Sequence, residues 1–391
     1  MRKLIVTVGL ALLLVQAGVA AAEVGPDGRA GNVRPWSVQY MDGTELVSLD
    51  DALAAARSFN VIVAHDAAYR PCVSAMKAAN PNLQLFVYMK GVFTRDTKLV
   101  EPIYAHDANG HRVQGVQFPG TWLMNPVAPQ TLARQLKRAV YLLGSSDYDG
   151  VFLDTIGTAP LNPSFVTSTP VNPASGQLWT ATDWLAATSD LAGKIAAAVG
   201  KPVIGNGLRD GVDYFDPDAA TSQLMRTGMG GAMAEAWLRG ATSPITRYPR
   251  EVVWKQNVDA IVDAGVNGGS FLAVTKLWSV GTQAQKDAWY KFAVASFLLA
   301  NDGKAYLSVS YAPGDATQDH PWDHVDLGAP SGPYAKIDTV YQRSFVLGRV
   351  LVNPSARKAF TVQLGATYHT LDGTPVTSIT LAPDTAEILT V

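Results

Sequence analysis

Short apolar runs and longer helical stretches alternate along most of this sequence. Eight runs have the length and the Val, Ile, Leu and Phe content of buried strands: 36–40, 61–65, 83–89, 151–154, 203–206, 232–235, 270–275 and 305–309. Six stretches between them show helical spacing or are rich in Ala: 49–57, 72–79, 129–143, 181–199, 252–264 and 284–299. Strands that alternate with helices pair in parallel, and eight of them predict a fold of the α/β class, a closed (β/α)8 TIM barrel.

Two segments interrupt this regular alternation. Residues 122–124 could add a ninth short strand, but Asn125 and Pro126 follow at once and favour a loop. Residues 208–227, between the fifth and sixth predicted strands, are long and irregular. Irregular loops after barrel strands are where such folds place their specificity.

Composition excludes several classes of function. The chain has 391 residues, of which 48% are hydrophobic and 16% charged, so it can bury a large core. Its net charge is −2, which offers no basic stripe for a phosphate backbone, and nucleic acid is not expected as a partner. Cys72 is the single cysteine and cannot form an internal disulfide, so we interpret it as a small buried side chain.

Near residue 336 the alternation of strand and helix patterns gives way to strand patterns alone. β-rich segments at 344–352, 359–363, 376–381 and 387–391 are separated by turn signals such as Asn353-Pro354. The pattern predicts a small C-terminal antiparallel β-sandwich domain over residues 336–391, with the barrel over residues 23–335. So short a segment is expected to share an interface with the barrel.

The N-terminus has the three parts of an export signal. Arg2 and Lys3 precede an apolar run over residues 4–19, and Ala20, Ala21 and Ala22 follow. This order predicts a signal peptide over residues 1–22, cleaved near Ala22, and a secreted or periplasmic protein without stable membrane insertion. A retained membrane anchor is the alternative, because the apolar run approaches the length of a spanning helix.

Two acids end equivalent apolar runs. Asp154 closes the stretch YDGVFLD, and Glu235 lies in GGAMAEAW at the end of the sixth predicted strand. Carboxyl ends of barrel strands are where barrels place their chemistry, so both side chains are expected at one mouth. Glycoside cleavage requires such a pair, one group to protonate the leaving oxygen and one to attack carbon or to activate water. The alternative is that each acid only caps the following helix.

The same residues carry a resemblance to a known family. YDGVFLDT, the stretch WLMNP with the helix after it, IGNGL and GGAMAEAW resemble the glycosyl hydrolases of hypothetical glycosyl hydrolase family 15. More distantly the chain is similar to α-amylase-like and polygalactosaminidase-like barrels, and its C-terminal part to the β-sandwich tail of such hydrolases. The resemblance implies that Asp154 is the nucleophile or base and that Glu235 is the general acid/base. Retention and inversion both stay open at this point.

Other polar residues also fall at predicted strand ends and suit a ligand with many hydroxyl groups. Asn206 follows the fifth strand, where it could bind a sugar hydroxyl or cap a turn. The remaining members of this group are predicted to bind substrate: Tyr40, His65, Tyr88 and Lys90.

Tryptophans near strand ends could stack on sugar rings, although core packing explains most tryptophans. The candidates are Trp122, Trp237, Trp254, Trp278 and Trp322. We expect Trp237, two residues beyond Glu235, to be the first of these to touch substrate, and Trp122 to be a further binding residue.

Two groups of residues suggest rival chemistries. Lys276 follows the seventh strand and could form a Schiff base, but no phosphate-binding glycine loop accompanies it, so polar capping or a contact with a substrate hydroxyl is favoured. His320, Asp323, His324 and Asp326 could seat a divalent ion, as in a metal-dependent deacetylase, yet their spacing matches no helical pair or zinc ribbon. We therefore expect neither a metal nor a cofactor.

Together these patterns predict an exported glycoside hydrolase that cleaves a polysaccharide or oligosaccharide with Asp154 and Glu235. The alternative from another class is a non-catalytic carbohydrate-binding or cell-surface protein on the same scaffold. Catalysis requires both carboxylates, whereas binding should survive the loss of either one.

Overall fold

A computed structural model describes residues 32–39, 46–312 and 320–391. It contains an eight-stranded parallel sheet and a separate six-stranded antiparallel sheet. The predicted signal peptide over residues 1–22 and Tyr40 lie outside the described residues. Within the part of the chain that is described, no helix combines the length and apolarity needed to cross a membrane.

The eight-stranded sheet forms the barrel. Its strands are β1 Trp36–Gln39, β2 Val61–Ala64, β3 Gln84–Lys90, β4 Gly150–Asp154, β5 Val203–Leu208, β6 Gly231–Ala234, β7 Ser270–Lys276 and β8 Ala305–Ser310. The strands pair in chain order from β1 to β8. A parallel bridge between Pro35 and Leu307 links the two ends of the sheet, so the barrel is nearly closed. The predicted α/β barrel is confirmed.

Helices connect the strands. They are α1 Leu49–Ser58, α2 Asp66–Tyr69, α3 Val73–Ala79, α4 Pro129–Leu143, α5 Ala181–Val199, α6 Gly211–Tyr214, α7 Glu251–Val266 and α8 Gln283–Ala300. Their starts follow local capping chemistry. The hydroxyls of Thr180 and Thr282 accept hydrogen bonds from the backbone of the first turns of α5 and α8, and Pro129 occupies the first turn of α4.

Alternation along the strands separates two apolar cores. One set of side chains fills the barrel interior: Trp36, Val61, Val63, Phe86, Phe152, Ile204, Met233, Leu272, Val274 and Tyr306. Residues between them, such as Leu85, Val151 and Phe271, face outward and pack against the helices. Because both faces of every strand are buried, the strands are continuous apolar runs in the sequence.

The six-stranded sheet comprises β9 Ala335–Ile337, β10 Val340–Phe345, β11 Gly348–Asn353, β12 Phe360–Thr370, β13 Pro375–Leu381 and β14 Thr385–Thr390. It packs on α8, where Lys291 pairs with Glu387 and Arg343 donates to the Leu298 and Asn301 carbonyls at 3.2 and 2.9 Å. The predicted single segment 344–352 is wrong in one detail, since it contains a turn at Val346 and Leu347 between two strands.

The loops after β3 and β4 are joined to each other. Phe93–Thr94 and Trp122–Leu123 form a two-stranded sheet of their own, so residues 122–124 do not add a barrel strand. The loop after β4 adds to this unit, because Val116 N–H donates to the Phe165 carbonyl at 2.8 Å and Thr167 N–H donates to the Gln114 carbonyl at 2.9 Å. The loop after β5 contains α6 and a short 3-10 helix, Thr221–Arg226.

Candidate active site

Polar side chains replace apolar ones at the carboxyl ends of the strands. Lys90, Asp154, Asn206 and Lys276 each lie two residues after an inward-facing residue of their strand: Tyr88, Phe152, Ile204 and Val274. His65 and Glu235 follow β2 and β6 with the same spacing. Because side chains alternate across a strand, this spacing directs all six toward one mouth of the barrel.

Asp154 is held by two neutral donors. The Tyr88 hydroxyl donates to Oδ2 at 2.6 Å, and Asn206 Nδ2 donates to Oδ1 at 2.8 Å. Burial and the nearby Glu235 carboxylate raise the pKa of Asp154 above its usual value, while the hydrogen bonds from Tyr88 and Asn206 oppose this rise. Both carboxylate oxygens therefore have fixed directions.

Glu235 is the more exposed of the two acids. It is the first residue after β6, and its backbone N–H donates to the Leu208 carbonyl at 3.2 Å. Its side chain is 43% exposed, and Oε1 accepts a hydrogen bond from Lys276 Nζ at 2.7 Å. The Lys276 ammonium also lies 4.8 Å from the centre of the Trp278 ring.

Asn206 connects the two acids. Its Nδ2 lies 2.8 Å from Asp154 Oδ1 and 3.2 Å from Glu235 Oε2, and donates to both. These two carboxylate oxygens can therefore be no farther apart than the sum of the distances, about 6.0 Å. Asp154 and Glu235 are predicted to lie at one mouth of the barrel, and Asn206 bridges their carboxylates there.

Close backbone packing fixes the end of β4. Gly91 N–H donates to the Asp154 carbonyl at 2.7 Å, and a Cβ at position 91 would lie 2.3 Å from that oxygen. Thr155 has φ of 60°, which is uncommon for a β-branched residue. Ile156 N–H then donates to the Asn206 carbonyl at 2.9 Å. Such constrained geometry is typical of functional turns.

The structure also places the other predicted binding residues of β2 and β3. The His65 ring stacks on Tyr88 with the ring centres 4.3 Å apart, so it supports a residue that contacts Asp154. Lys90 is the register partner of Asp154 across β3 and β4, and its carbonyl accepts a hydrogen bond from Gln135 at 2.7 Å. Both side chains belong to the same part of the mouth. Tyr40 is outside the described residues.

Trp237 was predicted to stack on substrate, and this prediction is wrong. Its side chain is fully buried in the apolar core between the strands and the helices. Its indole N–H donates to the Asn257 carbonyl at 2.8 Å, and its ring packs edge-on against Phe297. Trp254 is likewise fully buried and donates to Ser296 Oγ. Neither indole has a face available to a sugar ring.

The remaining candidate tryptophans, Trp122, Trp278 and Trp322, are half-buried. Trp122 lies in the joined loops after β3 and β4, where it pairs with Thr94. Trp278 lies beside Lys276 and donates from Nε1 to Ser310 Oγ at 2.8 Å. Sequence reasoning placed Trp278 only among the general candidates and omitted Ser310. Strand spacing could have found Ser310, because it follows Tyr306 and Ser308 on the inward face of β8.

The predicted metal candidates are engaged elsewhere. His320 stacks on Tyr290 and on Trp322, and Asp323 accepts a hydrogen bond from the Tyr290 hydroxyl at 2.6 Å. Among the described residues, no group of three His, Cys, Asp or Glu side chains has a metal-binding arrangement. Lys276, the candidate for Schiff-base chemistry, is ion-paired with Glu235.

Comparison with known proteins gives one family and several related folds. The model of hypothetical glycosyl hydrolase family 15 matches residues 77–349. No curated protein matches the chain. Among solved structures, the glycoside hydrolase domain of PelA from Pseudomonas aeruginosa is 16% identical, covering 76% of this chain and 98% of that chain, with a TM-score of 0.41.

Two further solved structures are similar to the chain. A noncanonic maltogenic α-amylase, AmyB from Thermotoga neapolitana, is 10% identical and covers 92% of this chain and 96% of that chain, with a TM-score of 0.48. A GH31 family sulfoquinovosidase from E. rectale is 12% identical and covers 92% of this chain and 61% of that chain, with a TM-score of 0.51. At these identities the likeness concerns the fold alone.

Proposed function

Because the chain belongs to hypothetical glycosyl hydrolase family 15 and is a glycoside hydrolase with a carbohydrate substrate, we propose that Asp154 and Glu235 are its catalytic pair. The single observation that carries this proposal is the Asn206 amide, which donates to both carboxylates at once. A carboxylate that only capped a helix would accept hydrogen bonds from the backbone of that helix. It would not need a donor shared with an acid on another strand. The proposed substrate is a polysaccharide or oligosaccharide.

The spacing of the acids favours retention of anomeric configuration. Retaining enzymes hold their two carboxyl groups about 5–5.5 Å apart, whereas inverting enzymes leave about 6.5–9.5 Å for a water molecule. The Asn206 bridge limits the nearest oxygens of Asp154 and Glu235 to about 6.0 Å. We therefore assign Asp154 as nucleophile and Glu235 as general acid/base.

In the first step, Glu235 gives a proton to the glycosidic oxygen while an oxygen of Asp154 attacks the anomeric carbon. The bond to the leaving oxygen breaks, and a glycosyl ester forms on Asp154. The greater exposure of Glu235 suits a group that must reach the leaving oxygen. Tyr88 and Asn206 fix the direction of the attacking oxygens.

In the second step, water attacks the anomeric carbon of the ester. Glu235 takes a proton from this water, and the bond between the carbon and Asp154 breaks. The hydrogen bonds from Tyr88 and Asn206 stabilise the carboxylate that leaves. Lys276 orients the Glu235 carboxylate in the glycosyl-enzyme, before that carboxylate takes the proton from water.

The neighbouring polar side chains are proposed to bind sugar hydroxyls. Lys90 and Lys276 flank the acids on β3 and β7, and His65 orients Tyr88 by stacking. Trp122 and Trp278 are the half-buried indoles in loops at this end of the barrel, so they are the better candidates for contacts with sugar rings.

The anomeric configuration of the first product tests the assignment of roles. Nuclear magnetic resonance spectra recorded during early hydrolysis should show a product with the configuration of the substrate. A product of opposite configuration would make Asp154 the base that activates water. Asp154→Asn and Glu235→Gln should both abolish most turnover, whereas Asp218→Asn, an exposed acid in the loop after β5, should not.

We infer that residues 1–22 direct the protein out of the cytoplasm and that residues 23–335 and 336–391 are its two domains. Sequencing of the mature N-terminus from a secreted or periplasmic fraction should start near Glu23, after cleavage at Ala22. An intact Met1 on the exported protein would contradict cleavage.

A further inference from the structure

Arg239 is a buried cation without a described acidic partner. It lies in the loop after β6, four residues beyond Glu235, and is only 3% exposed. Its Nη2 donates to the Ser243 carbonyl and, at 2.8 Å, to Ser279 Oγ, both of which are neutral. In the part of the chain that the structure describes, its Nε and Nη1 have no hydrogen-bond partner.

This arrangement is costly unless something compensates the charge. A guanidinium remains protonated in proteins, and a buried charge is normally paired with an opposite charge. Burial lowers the pKa of Arg239, and Tyr248 opposes this effect. Neutral oxygens satisfy part of the hydrogen bonding but leave the positive charge unbalanced.

The surroundings hold Arg239 in a fixed position. Its guanidinium carbon lies 4.9 Å from the centre of the Trp289 ring, and Tyr248 stacks on that ring at 3.9 Å. The preceding residue, Leu238, has φ of 61°, a left-handed conformation that is unusual for a bulky side chain. The loop is therefore constrained, and Arg239 stays buried rather than turning toward water.

The same loop contacts the end of β7. Lys276 N–H donates to the Arg239 carbonyl at 3.4 Å, and the Thr275 hydroxyl donates to the Trp237 carbonyl at 2.8 Å. Ser279, which accepts a hydrogen bond from Arg239, belongs to the loop after β7. The guanidinium thus connects the two loops that follow β6 and β7, on the same face of the barrel as Glu235 and Lys276.

We propose that Arg239 binds a small monovalent inorganic anion, of which chloride is the simplest, at its unpartnered N–H groups. The anion would balance the guanidinium charge and accept a hydrogen bond that no described protein atom accepts. Its size is limited because the site is nearly closed to solvent, which excludes a sugar ring or a chain of substrate. The proposal does not depend on which residues perform catalysis.

A stability measurement tests this site without an assay of activity. The wild-type protein is melted in buffers of constant ionic strength in which sodium chloride progressively replaces sodium gluconate. The melting temperature should rise with chloride and reach a plateau, and bromide should act in the same way. A bound ligand that favours the folded state produces this saturable response.

Variants separate a specific site from a general salt effect. Arg239→Met removes the charge and should abolish the chloride-dependent part of the rise. Arg247→Met changes an exposed arginine of the same loop and should leave the response intact. An equal chloride response in Arg239→Met and in wild type would overturn the proposal.

Bromide diffraction supplies an independent test if Arg239→Met does not fold. Crystals of the wild-type protein grown or soaked in bromide should show an anomalous peak within hydrogen-bonding distance of the Arg239 guanidinium. A map with no such peak, together with melting temperatures that do not respond to halide, would mean that water alone meets these N–H groups. That pair of results would also overturn the proposal.

Discussion

The barrel interior has two layers that share the same strands but differ in chemistry. The lower layer is apolar and includes Phe86, Phe152 and Leu272, all nearly or fully buried. The upper layer, at the carboxyl ends, holds Asp154 and Glu235 with the groups that contact them. Phe152 and Asp154 are only two residues apart on β4 and point into the same barrel.

The difference between the layers separates the residues that stabilise the fold from the residues that serve turnover. The lower layer gains free energy from the removal of apolar surface from water. The upper layer holds an acid whose pKa is raised by burial, which is unfavourable for an ionised group. A change in the lower layer should therefore reduce stability, and a change in the upper layer should reduce turnover.

Glu235→Gln should lower activity strongly. Loss of a general acid lowers turnover by about 10²–10⁴-fold. The loss should be large for substrates with poor leaving groups and small for aryl glycosides whose leaving group needs no proton. Kinetics on a matched pair of such substrates measures the contrast. The same loss on both substrates would argue that Glu235 is not the acid.

Phe152→Ala should lower the free energy of unfolding by about 3–5 kcal/mol, because it leaves a cavity in the lower layer. Chemical denaturation followed by circular dichroism measures this change. The folded fraction should retain the turnover of the wild type within a few-fold. A variant of normal stability with no activity would erase the distinction between the layers.

Lys276→Met should have a smaller effect on turnover. The hydrogen bond between Lys276 and Glu235 joins two charged groups, and such bonds contribute about 1.5–3 kcal/mol, or roughly 10- to 100-fold in rate. Lys255→Met, which removes an exposed lysine paired with Asp259, serves as the control and should retain full activity. Unchanged turnover in Lys276→Met would indicate that this ion pair has no part in catalysis.

The smallest effect is on stability and depends on pH. Since the pKa of Asp154 is raised in the folded state, the folded protein binds this proton more tightly than the unfolded chain does. Wild-type stability therefore falls as pH rises from the unfolded pKa through the folded one. Asp154→Asn has no such group, so its melting temperature should exceed that of the wild type at neutral pH.

The advantage of Asp154→Asn should shrink as pH falls toward the ordinary carboxyl pKa, where Asp154 is protonated in both states. Paired thermal melts of the two proteins across this range measure the difference. An advantage that grows toward acid would contradict the raised pKa. A stabilised but inactive variant would be the expected result of an acid retained for function.

Strand periodicity made most of the fold predictable. All eight barrel strands and the six predicted helices appear close to their predicted bounds, because strands buried on both faces give continuous apolar runs. The turn at Val346 and Leu347 escaped prediction because its two central residues are apolar and are not among the usual turn residues. The same periodicity explains why Lys90, Asp154, Asn206 and Lys276 were placed at one mouth.

Strand periodicity does not predict the direction of side chains beyond the end of a strand. Trp237 has the spacing of an inward-facing residue after Glu235, but the chain turns at Leu238, and the indole enters the apolar core between the strands and the helices instead. The Asn206 bridge and the Lys276 ion pair depend on distances between strands, which a single sequence does not encode in its local pattern. Arg239 was missed because nothing in its neighbourhood in the sequence indicates burial.

The most direct test of the central claim is release of reducing sugar from a panel of α- and β-linked glycans, amino-sugar polymers and cell-surface polysaccharides, measured for wild type and Asp154→Asn in parallel. We predict that the wild type releases product from at least one class and that Asp154→Asn, folded and at the same concentration, releases none above background. Product release by Asp154→Asn at the wild-type rate would contradict the assignment of Asp154 to the catalytic pair.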